Sequence, residues 1–156
     1  MWILALIGAG LLTALVNLFM VGFDIGTAGI CEIIVLHQYV VTSGLLGIIG
    51  FYINVIKADD TAKSLGWPGG PFQVKYGFSQ LGVGIMGVLS IWFRGTFWIG
   101  TLVTLYIYGI SGLWSHTAEM KRKKVNAIDV GNIIFDVIYH AALTILLFQI
   151  PEVWGR

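Results

Sequence analysis

Two pairs of residues have the types and spacing for chemistry inside a helical protein. Asp136 and His140 lie four apart, and His116 and Glu119 lie three apart, so each pair falls on one helix face. An Asp-x-x-x-His pair is a hydrogen-bonded couple or half of a metal site, and helix bundles use Glu-x-x-His pairs to hold metals in their cores. His116, Glu119, Asp136 and His140 are therefore the candidate metal ligands, although their spacing matches no strict ligand motif. Asn54, Gln73 and Lys75 are expected at the same depth, and with His116, Asp136 and His140 they form the candidate ligand-binding set. His37 joins it as a proton-binding group on the face of Gly44, or else as a core histidine bonded to a carbonyl. Glu32 lies five residues before His37, about 140° away around a helix, near the outer boundary, where it is either simply wet or paired with Arg94. The plainer reading keeps these groups structural: Asp136 pairs with Lys75, His140 donates to a carbonyl, and Glu119 is solvated beside the basic run. Cys31 is the sole cysteine and carries no assigned chemistry, and no cofactor is specified.

The elements that must position these residues are written in the composition. Of 156 residues 57% are hydrophobic and only 11% charged, against about 25% charged in a soluble domain. Lipid is the expected solvent, and a net charge of +1 gives no electrostatic case for nucleic acid. A bilayer-spanning helix needs about 20 apolar residues. On that measure the chain predicts an all-α, polytopic membrane bundle of five transmembrane helices, at about Trp2–Gly22, Ile30–Ile56, Phe72–Phe93, Phe97–His116 and Ile133–Ile150. The first lacks a basic start and a convincing cleavage site, so it reads as a retained helix. Residues 1–29 form an N-terminal helix and linker, and residues 30–156 a four-helix membrane core.

Between the second and third spans lies Gly66 to Gly77, GWPGGPFQVKYG, whose glycines and prolines break both neighbours. Trp67, Phe72 and Tyr76 suit a membrane–water boundary. Gly44, Gly47 and Gly50 on the second helix, and Gly84, Gly87 and Ser90 on the third, repeat at three-residue spacing. Small residues let membrane helices approach closely, so these two helices are expected to pack antiparallel through the glycine grooves. Five spans put Lys57, Lys63, Lys75, Lys121, Arg122, Lys123 and Lys124 on one side and Arg94 and Arg156 on the other. The positive-inside rule then gives a multi-pass protein of the cell membrane with a cytoplasmic N-terminus and an outer C-terminus.

The run Gly66-Trp67 through Pro71-Phe72-Gln73 to Gly77, with Leu81-Gly82-Val83-Gly84, Gly87, Arg94-Gly95 and Phe97-Trp98, resembles an uncharacterised prokaryotic domain-of-unknown-function family of small four-helix membrane proteins. The resemblance covers about Cys31 to Ile150 and makes the first helix an addition. It implies that His116 and Asp136 match the family's histidine and aspartate. Lys75 departs from the acidic residue usual after the PFQ element, which puts an acidic-ligand role there in doubt. The architecture alone is similar to small quinone-linked proteins of the DoxX type. The expected function is a non-catalytic subunit of a larger membrane complex or a homo-oligomer, with membrane lipids and other proteins as partners. A membrane-embedded small-ligand, quinone or metal site is the alternative, and an oligomeric transporter or channel the third. No phosphate loop, nucleotide fingerprint or nucleophile elbow is present to mark an enzyme.

Overall fold

The computed structural model describes residues 2–66, 68–122 and 127–155. Trp67, Lys123, Lys124 and Arg156, and the side chains of Glu119 and Arg122, lie outside the described set. Six helices account for nearly all of it: α1 (Trp2–Val21), α2 (Gly26–Ile56), α3 (Ala58–Leu65), α4 (Pro71–Leu89), α5 (Thr96–Arg122) and α6 (Ala127–Phe148), with a 3-10 turn at Pro151–Trp154.

Four of these are long and apolar enough to cross a bilayer: Ile3–Val21, Gly26–Ile56, Thr96–Ala118 and Val130–Phe148. The helix α4 is not among them, because its first half carries Gln73, Lys75, Ser79 and Gln80. It is 19 residues long, about 28 Å at 1.5 Å per residue. The charged run after α2, expected only to be wet, folds as the short amphipathic helix α3, with Asp59 and Asp60 in its first turn and Lys63 in its last. That arrangement complements the helix dipole. Gly66 ends it in the left-handed conformation (φ 66°), and Pro71 begins α4 at the first helical position after Gly70 (φ 88°). Both turns need backbone angles that residues with a Cβ rarely adopt.

Helix α2 is the hub, packed by α1, α4 and α6. It is not uniformly α-helical. Its hydrogen-bonding pattern widens to π geometry at Gln38–Ser43 and again at Tyr52–Ile56. A wide turn takes in an extra residue, so side chains beyond it no longer follow the 3.6-residue period. Within the first wide turn Gln38, Tyr39, Thr42 and Ser43 are all buried.

Against α2 the glycines of α4 do what their spacing predicts. A Cβ on Gly47 would lie 2.6 Å from the Gly84 Cα, and one on Gly84 would lie 2.8 Å from the Gly47 Cα. Ser43 Cβ and the Tyr39 carbonyl occupy the space beside Gly87, and Val88 that beside Gly44. The antiparallel helices meet backbone to backbone, the arrangement that drives association where no hydrophobic force acts between helices. Around this seam Val35, Tyr39, Val83, Trp98, Leu102, Leu143 and Leu147 form the apolar core. Large apolar side chains such as Phe19, Met20, Ile48, Ile107, Trp114 and Ile145 face outward.

Candidate functional site

The polar residues inside the bundle fall into four hydrogen-bonded groups. The first joins α1 to α2. Thr13 Oγ1 donates to the Ala9 carbonyl (3.0 Å) and so accepts from His37 Nδ1 (2.9 Å), while Asn17 Nδ2 donates to His37 Nε2 (3.0 Å). One neutral tautomer of His37 satisfies all three contacts.

The second group lies a turn deeper. Gln38 Nε2 donates to the Ile7 carbonyl (3.3 Å), Thr42 Oγ1 meets the Leu6 carbonyl (3.0 Å) and Gln38 Oε1 (2.9 Å), and Tyr139 of α6 donates to Gln38 Oε1 (3.2 Å). Gly10 is the point at which α1 lies over Gln38 and Thr42. Helix α1 is thus bonded into the bundle at two levels, by polar groups that would otherwise be unsatisfied away from water.

The third group runs between α2, α4 and α5. Gln73 Nε2 donates to the Ala58 carbonyl (3.0 Å) and to Asn54 Oδ1 (3.4 Å). Asn54 Nδ2 donates to Gln80 Oε1 (2.8 Å), Gln80 Nε2 to the Tyr108 hydroxyl (2.8 Å), and that hydroxyl pairs with Tyr76 (2.9 Å), whose ring stacks on it. Gln73, Gln80 and Gly77 fall on the inward face of α4 at helical spacing.

The fourth group joins α5 and α6. His140 Nδ1 lies 2.8 Å from the Asp136 carbonyl and 3.3 Å from Asp136 Oδ1, and Nε2 lies 3.0 Å from the Leu105 carbonyl. Gly109 is the seat of the imidazole, since a Cβ there would lie 2.6 Å from His140 Cε1 and 3.0 Å from Asp136 Oδ2. Tyr106 reaches the His140 carbonyl (3.3 Å) and Thr144 Oγ1 (2.8 Å).

The expected gathering of polar residues at one depth therefore divides. Asn54 with Gln73 forms one centre and Asp136 with His140 another. Among the described residues neither Gln73 nor Lys75 bonds to the last helix: Gln73 turns toward α2, and Lys75 is exposed with Nζ 5.8 Å from the Phe72 ring centroid. His37 does not share the Gly44 direction, because the wide turn between them shifts the register; it faces α1. His116 is half-buried on the Gly109 side of α5, two turns further along. Among the described residues no three His, Cys, Asp or Glu side chains gather as a metal site, and the Glu119 side chain is outside that set. Glu32 does pair with Arg94, at 2.7 Å, and the guanidinium lies 5.1 Å from the Trp98 ring centroid. What the pattern of ionisable residues missed were the neutral partners Thr13, Asn17, Gln38, Thr42, Gln80, Tyr108 and Tyr139. For Gln80 the signal was there, seven residues after Gln73 and four after Tyr76 on one face.

Four helices long and apolar enough to cross a bilayer, closed around a hub helix and a glycine seam, fit a multi-pass α-helical membrane bundle. The chain belongs to a family of unknown function, DUF6790, whose profile spans residues 1–153. That span includes α1, so the first helix is part of the family's own architecture and not an addition to a core beginning near Cys31. No curated protein and no solved structure matches the chain.

Proposed function

We propose that the protein is a non-catalytic membrane subunit that acts by assembly, as a homo-oligomer or within a larger membrane complex. The observation that carries this reading is the state of the interior. Among the described residues every buried side-chain nitrogen and oxygen except Gln73 Oε1 has a hydrogen-bond partner. Interior groups committed to one another leave little with which to hold a substrate. Two hollows, of about 380 Å³ beside Val55–Asp60 and about 160 Å³ between Arg94, Trp98 and Glu152, lie at opposite ends of α2. The outer surface supports the same reading. An added Cβ on Gly8, Gly82 or Gly112, all helical, would meet nothing within 4 Å, so each leaves an open notch at which another helix can approach.

In this reading α4 is the fifth span, with Gln73 and Gln80 turned onto α2 and α5 while Lys75 and Ser79 stay exposed. The N-terminus then lies on the side of Lys57, Lys63 and Lys121, and the C-terminus on the side of Arg94, with lysines and arginines favouring the cytoplasm. The one unpartnered buried side-chain atom among the described residues, Gln73 Oε1, favours a second reading: a small hydrogen-bond donor held under Gly69, whose added Cβ would lie 3.7 Å away. Photobleaching of single labelled molecules in dilute lipid vesicles tests the first reading. Several bleaching steps per spot, or one step with a second polypeptide copurified from the membrane, are expected. One step with the chain alone would contradict it.

A further inference from the structure

The polar row between α2, α4 and α5 has a direction, and its two ends differ. Gln73 Nε2 donates to the Ala58 carbonyl (3.0 Å), so the other atom of that amide is the oxygen. Asn54 Nδ2 donates to the Gly50 carbonyl (3.1 Å), which fixes its amide in the same way. The second hydrogen on Asn54 Nδ2 goes to Gln80 Oε1 (2.8 Å). Gln80 therefore turns Nε2 to the Tyr108 hydroxyl, which accepts (2.8 Å). The Tyr108 hydrogen has one acceptor among the described residues, the Tyr76 oxygen at 2.9 Å. Were Tyr76 to donate instead, the Tyr108 hydrogen would be stranded beside Gln80, at the cost of an unmade bond. The row thus runs from Gln73 through Asn54, Gln80 and Tyr108 to Tyr76, each donating to the next. It ends on a phenolic hydrogen with no acceptor among the described residues.

Tyr76 is the place where the row reaches the surface, at 36% exposure. Its ring stacks on Tyr108, with centroids 6.0 Å apart and planes 16° apart, which holds the hydroxyl in one position. It lies five residues after Pro71, the first residue of α4, or about 7.5 Å along the helix. Each headgroup layer adds about 5–8 Å to the hydrocarbon core. With the start of α4 at the outer edge of that layer, Tyr76 comes to the boundary between headgroups and acyl chains. Phe72 is one turn earlier on the same face and 83% exposed, and Lys75 is exposed beside it; both suit that level. The acceptors that a bilayer offers at this depth are the ester carbonyls of its glycerophospholipids.

We propose that Tyr76 binds a glycerophospholipid by donating a hydrogen bond to an acyl ester carbonyl. The interior row commits the hydroxyl to this role, since its oxygen is taken by Tyr108 and its hydrogen is left to face the lipid. Each bond in such a row polarises the next, so the last O–H is a stronger donor than that of an isolated tyrosine. The ammonium of Lys75 is on hand for the phosphate of the same lipid. The buried amides then have a purpose beyond joining helices: they fix which way a surface hydroxyl points its hydrogen.

The test uses the whole protein in nanodiscs of phosphatidylcholine, half with ester-linked and half with ether-linked chains of equal length. Ether lipids keep the headgroup and chains but lack the carbonyl. Native mass spectrometry of the released protein reads which lipid is retained. The parent is expected to retain the ester lipid about fivefold over the ether lipid, the worth of one hydrogen bond. Equal retention by the parent would mean that interfacial water meets the hydroxyl, and would overturn the proposal. Tyr76→Phe keeps the stacked ring and is expected to retain both lipids equally. An ester preference that survives in Tyr76→Phe would put the contact elsewhere and would also overturn it. The parent measurement can refute the proposal by itself, even where the variant fails to fold.

Discussion

Replacing Gly47 with alanine is a direct probe of the glycine seam. The added methyl group would lie 2.6 Å from the Gly84 Cα, 2.9 Å from the Gly84 nitrogen and 2.9 Å from the Gln80 carbonyl oxygen. Carbon atoms in contact prefer about 3.5–4.0 Å, so the helices must separate by about 1 Å. All three obstructing atoms are backbone, and no side-chain rotation relieves them. The displacement would propagate along the seam to Gly44, Gly50 and Gly87, each of which also packs tightly. Overpacking of this kind costs about 1–3 kcal/mol, and the upper value is expected here because a helix and not a side chain must move. About 3 kcal/mol is on the order of a hundredfold in the folded-to-unfolded ratio. The assay is reversible unfolding from mixed micelles by added sodium dodecyl sulfate. Gly82→Ala, on the same helix α4 but in open space, is the control and should be neutral or slightly stabilising. Equal stability of Gly47→Ala and Gly82→Ala would refute the account of the seam.

Three further outcomes follow from the polar groups. Gly109→Ala pushes on a ring held at both nitrogens, and should cost about 2 kcal/mol in the same unfolding assay, with the loss shrinking in a His140→Ala background. Asn54→Leu removes the link between Gln73 and Gln80; leaving the buried Gln80 Oε1 without its donor should cost about 1–3 kcal/mol, with little change in the spectrum of helical content. Glu32→Gln breaks the bridge to Arg94, whose two side chains are 45% exposed, so a loss below about 1 kcal/mol that fades as salt is raised is expected by titration at two ionic strengths.

The sequence made some of this legible for physical reasons. Hydropathy runs mark helices because lipid demands them, which is why α1, α2, α5 and α6 were visible. Glycines at three-residue spacing mark a contact face, and the Gly47–Gly84 approach followed. The pairing of Glu32 with Arg94 was readable because both flank membrane segments on the same side. The wide turns of α2 were not readable; the partners that Gln38 and Thr42 meet at the first of them, on α1 and at Tyr139, lie far away in the chain. Without that extra residue in the turn, His37 is assigned to the Gly44 direction instead of α1. The buried network was underestimated because attention falls on ionisable groups, while neutral amides and hydroxyls such as Gln80 and Tyr108 do most of the bonding inside. The division of Gln73 from Asp136 depends on which face of α4 meets α2, and that is set by Gly77 packing on Asn54 and Val55.

The central claim is that this bundle's interior serves its own cohesion and its exterior serves assembly. Native mass spectrometry of the protein released from lipid nanodiscs measures this most directly. The account predicts a mass that is a multiple of the 17.1 kDa chain, or the chain joined to another polypeptide, with lipid as the sole small-molecule adduct. A single chain carrying one stoichiometric non-lipid molecule would contradict it.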